Sequence, residues 1–153
     1  MDHSAAVSQN TLEFISQLGL SQQVLVTIVF SPDQNIYNVL LKTDNPGLII
    51  GYHGENLSAL QLLLAQHLHN QVGEWLNLSL NVNDYRQRRE ASLHALADSA
   101  VARVIASGQP HSLPPMPAAE RRLVHLYLAD HPDVTTASEG VGRSRSVIIS
   151  PRI

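Results

Sequence analysis

Two hydrophobic periods organise the first half of this 153-residue chain. Leu57, Leu60, Leu64 and Leu68 recur every three or four residues, one apolar stripe on a helix expected from Glu55 to Asn70. Leu76, Leu78, Leu80 and Val82 alternate with Asn77, Ser79, Asn81 and Asn83, which predicts a strand with one buried and one wetter face. Upstream, Leu12, Ile15 and Leu18 mark a short amphipathic helix from Thr11 to Leu18, ending at Gly19. Val24 to Phe30 is apolar on both sides and rich in β-branched residues, so it reads as a well-covered strand. Ser31-Pro32-Asp33-Gln34-Asn35 is turn chemistry, and a second strand follows from Ile36 to about Lys42. Asn45-Pro46 then opens a one-turn helix through Ile50.

In the second half, Asp84 is placed to cap a long helix, with Gln87 completing a capping box. Leu93, Leu96, Ala97, Ala100, Val101, Val104 and Ile105 form its apolar side, and Gly108 and Pro110 stop it after about Ser107. His111 to Leu113 predicts a brief strand. Pro114-Pro115-Met116-Pro117 leads stiffly into a helix from Pro117 to about Asp130, closed by His131-Pro132. Two further strands, Val134 to Ala137 and Ser144 to Ser150, are joined through Ser138-Glu139-Gly140-Val141-Gly142-Arg143. The pattern predicts an α+β chain of two domains, 1–83 and 84–153, with almost no linker and hence rigid coupling.

The candidate chemistry of the first domain is Gly51-Tyr52-His53-Gly54, between the one-turn helix and the Leu-striped helix. Paired glycines let backbone approach a bulky ligand without Cβ obstruction. The first N–H groups of the following helix lack intrahelical partners and favour an anion. The order helix, strand, strand, short helix, glycine loop, helix, strand resembles the type II KH fold. That resemblance implies a backbone clamp on about four nucleotides, with Gly51, Tyr52, His53 and Gly54 as binding residues. Bases would lie over an apolar surface near Ile49, Ile50, Leu57 and Leu60.

Composition narrows the class. A chain 44% hydrophobic and 15% charged is built to fold. It has neither the apolar run needed to span a bilayer nor a signal-peptide layout, so no membrane insertion is expected. Without cysteine it can form neither disulfides nor thiolate metal sites, which fits a cytoplasmic protein. The net charge of −3 is unevenly spread. Residues 1–85 carry Lys42 alone against seven acids, whereas residues 86–153 carry nine arginines against six. Any polyanion contact is therefore expected to lean on the C-terminal part.

Arg121 and His125 stand four apart on the last predicted helix, about 40° from one another around it. Leu123, Val124, Leu126, Tyr127 and Leu128 are assigned to the opposite, packed arc. A guanidinium fork can hold phosphate or stack on a base, and histidine adds a ring with switchable charge; a solvated face or local ion pairs is the alternative. Arg143 and Arg145 flank the glycine-containing turn and could reach a backbone phosphate. Arg86, Arg88 and Arg89 crowd the positive end of the long helix, consistent with a phosphate contact, an acidic partner or plain solvation.

From Asp84 onward the chain resembles the R-three-H domain, named for its Arg-x-x-x-His signature and known for binding single-stranded nucleic acids. Together with Gly47-Leu48-Ile49-Ile50-Gly51, Met116-Pro117-Ala118-Ala119-Glu120-Arg121-Arg122 and Ser138-Glu139-Gly140, the order of domains is similar to the bacterial Jag (SpoIIIJ-associated) family. The resemblance implies a non-enzymatic regulator acting after transcription, linked to cell elongation or division, and pairing with a second small KH protein. It implies no cofactor. Two departures stand out. Tyr52 and His53 occupy loop positions often basic in KH domains, and the sequence opens without the additional N-terminal domain and long linker of many Jag proteins. Functions seated there, such as attachment to membrane or division machinery, are therefore not carried over by the resemblance.

His67 and His69 do not face one another on a helix, and His94 and His111 read as surface or packing residues. Ser-His-Asp, Walker-type and HExxH patterns are missing. The expected partner is single-stranded RNA, with single-stranded DNA left open. The competing reading is a protein-interaction adaptor whose KH half self-associates or docks another KH protein.

Overall fold

A computed structural model of the chain describes residues 3–20 and 24–152. They form two compact units, Met1–Arg86 and Gln87–Ile153. The first contains α1 (Ser4–Gln17), β1 (Leu25–Ser31), β2 (Ile36–Lys42), α2 (Pro46–Ile50), α3 (Glu55–Val72) and β3 (Leu78–Val82). Strand β2 is central, antiparallel to β1 and parallel to β3. Its Tyr37, Val39 and Leu41 join Leu80 and Val82 of β3 on the inner face, where Val7 and Ile15 of α1 and Leu57, Leu64 and Leu68 of α3 close the core. A residue period of two in the strands thus meets a period of 3.6 in the helices.

Three expectations change here. The buried stripe of α1 is Val7, Thr11 and Ile15, so the helix starts at Ser4, while Leu12 and Leu18 face outward. Strand β1 lies at an edge and is covered on one side only: Leu25 is 66% exposed and Val29 is exposed as well. Its alternate residues Val26, Ile28 and Phe30 are the ones that pack against the core. Asn81, assigned to a wet face, is buried, and its side-chain oxygen accepts from the Val82 N–H at 2.9 Å and the Arg86 N–H at 3.2 Å.

That Asn81 bond also alters the start of α4 (Tyr85–Ser107). Asp84 stands at φ 56°, in left-handed conformation, rather than in the extended conformation typical of a capping aspartate. The second unit adds β4 (His111–Ser112), α5 (Ala118–Tyr127), β5 (Val134–Glu139) and β6 (Ser146–Pro151), with sheet order β4-β6-β5 and antiparallel pairing throughout. Leu93, Ala97, Ala100, Val101 and Val104 of α4 pack with Val124, Leu128, Val134, Val147 and Ile149. Ile105, one step around the helix from Val104, is exposed. Among the described residues, no helix is long and apolar enough to cross a membrane.

Candidate nucleic-acid interface

The glycine loop begins where α2 closes, with the Gly51 N–H donating to the Gly47 carbonyl at 2.9 Å. Gly51 adopts φ 69°, ψ −170°, a region essentially reserved for glycine. A Cβ there would stand 2.4 Å from the Asn56 Cγ, and Asn56 itself donates to the Leu48 carbonyl at 3.1 Å. The chain then makes a single tight turn over Tyr52–Gly54, held by a 3.4 Å bond from the Gly54 N–H to the Gly51 carbonyl. His53 is left-handed at φ 50° and Gly54 at φ 78°. Gly54 caps α3 without a side-chain hydrogen bond, and the acidic residue of the first turn is Glu55.

Around the loop, Tyr52 is 73% exposed, and its ring meets His53 edge-on with centroids 4.2 Å apart. Leu48 is exposed too. Ile49, Ile50 and Leu57 are buried, and Leu60 packs partly against the same core. They pack beneath the loop, and the apolar side chains left exposed around it are Tyr52 and Leu48 instead. The sequence stripe could not separate these roles because α2 is a single turn, on which neighbouring residues point in different directions.

In the second unit, Arg121 and His125 are both half-buried on α5. The Arg121 guanidinium donates from Nη1 to the Met116 carbonyl at 2.7 Å. His125 Nδ1 lies 2.7 Å from the Thr136 hydroxyl on β5. Burial, and secondarily the Arg121 charge, lower the His125 pKa from its ordinary 6.5, so the ring is neutral at neutral pH.

Ser138 follows Thr136 by two residues on β5 and therefore shares its face. Arg145 is tied there, donating from Nε to the Ser138 hydroxyl at 3.1 Å. The ladder thus sets the partners of His125 and Arg145 side by side, about 7 Å apart along one strand. Arg143 is exposed on the Gly142–Ser144 turn of the same hairpin. Arg121 is linked to this group only through its charge, which acts on His125.

The packed arc assigned to α5 is different from that expected. Leu126 is 62% exposed and Tyr127 is also exposed, whereas Glu120 is buried at 7%. Glu120 receives a fork from Arg89, with Nε at 2.7 Å and Nη2 at 2.9 Å. Arg89 thereby serves α4–α5 packing within the second unit. Arg86 is likewise engaged, donating to the Leu80 carbonyl at 2.9 Å and to Gln61 at 2.8 Å. Tyr127 stacks on His94 with ring centroids 3.9 Å apart, and its hydroxyl donates to Asp98, which raises the phenol above its ordinary value. His67 and His69 lie against Phe14 and Trp75.

Sequence reading also missed Asn56, Tyr85, Thr136 and Ser138 as supports of the candidate residues. Small polar residues in strands and helix starts look ordinary until the fold brings them to a loop or a histidine.

Residues 11–80 match the KhpA/KhpB KH domain, and residues 91–151 match the R3H domain. The chain belongs to the Jag family. The glycine loop lies inside the first match, and Arg121, His125, Arg143 and Arg145 lie inside the second. Jag relatives include a protein of Lactiplantibacillus plantarum named RNA-binding protein KhpB, 43% identical over 110 residues, covering 72% of this chain and 34% of that protein. The protein of the same name from Streptococcus pneumoniae serotype 2 is 32% identical over 143 residues, covering 94% of this chain and 44% of its own length. That of Clostridium symbiosum is 30% identical over 146 residues, covering 94% and 66%. The chain therefore spans about a third to two thirds of these relatives.

Proposed function

We propose that this chain binds single-stranded RNA without acting as an enzyme, as a cytoplasmic regulator after transcription. The loop Gly51, Tyr52, His53 and Gly54 takes the phosphate backbone, with Tyr52 stacking on a base. Arg121, His125, Arg143 and Arg145 extend the grip on the second unit through charge and ring contact. The observation that carries this reading is the loop backbone. Its two left-handed glycines lead into a helix start that no side chain caps, beside an exposed tyrosine. The names of the relatives point the same way.

Charge supports a division of labour. The first unit has few cations, so its hold on phosphate comes from amide dipoles, whereas the second supplies guanidinium groups. A neutral His125 also avoids opposing Arg121 until phosphate arrives. Pairing with a second KH-type protein, or with another copy, suits the exposed Leu62 and Leu63 on α3.

Titrating a fluorescent single-stranded RNA of mixed sequence across a range of salt tests the proposal. Binding should be saturable, and log K should fall linearly with log salt at a slope set by the phosphates engaged. Self-association with no RNA bound would favour the adaptor reading instead.

A further inference from the structure

The β5–β6 hairpin carries an apolar side chain at its tip. Val141 is 85% exposed, the largest value among the exposed large hydrophobic residues described. An isolated exposed valine is ordinary on a protein surface. Its setting distinguishes this one, since the tip is a braced turn flanked by arginines.

The brace consists of several bonds. Gly140 sits at φ 98°, and a Cβ there would come within 3.0 Å of the Arg145 Cα and the Ser144 carbonyl oxygen. The Val141 carbonyl accepts from both the Ser144 N–H at 3.2 Å and the Ser144 hydroxyl at 2.8 Å. The Arg145 N–H donates to the Gly142 carbonyl at 3.3 Å. Val141 itself is extended at φ −129°, ψ 140°, so its side chain projects from a turn whose main chain is already tied. Arg143 lies on the tight turn, and the Arg145 guanidinium is anchored on Ser138. The hairpin therefore combines an apolar point with two cations within four residues.

A polyanion whose flat apolar rings alternate with charge fits that arrangement, because phosphates would meet the arginines while a base face met the valine. We infer that Val141 is a wedge that packs against the face of an unstacked nucleobase in single-stranded RNA. The inference rests on the proposed role of this hairpin in RNA binding and adds to it an apolar contact. Apolar wedges perform a related task in proteins that pry apart base steps. A contact of this kind contributes affinity without releasing counterions, so it leaves the salt dependence unchanged.

The test uses the full chain and a short single-stranded RNA containing 2-aminopurine, whose fluorescence reports stacking. Val141→Ser should weaken binding about fivefold or more, reduce the fluorescence change on binding, and leave the slope of log K against log salt as in the parent. Arg143→Ala should instead lower that slope by about one. If Val141→Ser leaves affinity and fluorescence unchanged while Arg143→Ala flattens the slope, the hairpin touches backbone only and the wedge is refuted. If neither substitution, nor Arg145→Ala, has any effect, the hairpin lies off the RNA and the underlying assignment fails with it. Val141 is exposed and its side chain makes no core contact, so the serine variant should fold as the parent does.

Discussion

The Tyr85 ring backs onto Gly54 so closely that a Cβ at Gly54 would stand 3.1 Å from Tyr85 Cε1 and 3.4 Å from its hydroxyl. The first residue of α4 thus lies behind the second glycine of the loop. Gly54 is consequently constrained twice, by its φ of 78° and by that ring. Gly54→Ala should destabilise the chain by about 1–2 kcal/mol and weaken RNA binding as the loop shifts. Urea denaturation and RNA titration of the same variant measure both effects. Parent-like values in each would show that the loop tolerates a side chain there.

Replacing Tyr52 and His53 together by aspartate keeps the loop short but points negative charge at the expected phosphates. RNA affinity should fall about tenfold or more, because like charges meet where dipoles previously attracted. Circular dichroism should remain unchanged, since Tyr52 is exposed. Unaltered affinity in a folded variant would remove the loop from the interface.

His125 makes stability depend on pH in a defined direction. Burial, followed by the Arg121 charge, lowers its folded pKa below the ordinary 6.5, so the unfolded chain binds more protons in the window between the two values. Its contribution is fully present above 6.5 and is lost as pH falls through that window toward the lowered folded value. His125→Gln should therefore flatten the acid side of the stability curve relative to the parent, as read by urea midpoints at several pH values. RNA bound against this histidine would favour its charged form, so binding should take up protons, measurable as a buffer-dependent heat.

Glu120 is buried beneath a fork from Arg89, and Glu120→Ala would leave that guanidinium without its carboxylate. Arg89 keeps some access to water, which softens the loss. The expected cost is about 2–3 kcal/mol, at or below the lower end for broken buried pairs. Thermal unfolding should show it, with little change in the RNA salt slope, because neither residue is assigned to the interface. A large change in slope would mean that Arg89 meets phosphate after all.

Strands β2 and β3, the long α4 and the glycine loop were legible because each rests on local chemistry: alternation, helical spacing, or two glycines at a fixed interval. Coverage was harder to read. The residues of β1 look apolar on both sides, but only their alternate set meets the helices, and position at the sheet edge is not written into the strand itself. Leu126 and Glu120 make the same point on α5. Hydrophobicity suggested burying the leucine, whereas pairing with Arg89 allowed burial of the acid instead.

By itself the sequence determined the order of elements and the residue types at the glycine loop, the α5 signature and the hairpin, since propensity and periodicity act over a few neighbours. Long-range packing settled which side chains remain available. It turned Ile49, Ile50 and Leu57 inward, left Tyr52 and Val141 outside, tied Arg121 to Met116 and His125 to Thr136, and set Tyr85 behind Gly54. Apart from the Arg121–Met116 bond, which spans five residues, those outcomes depend on contacts between separate elements, where packing and hydrogen-bond satisfaction override local preference.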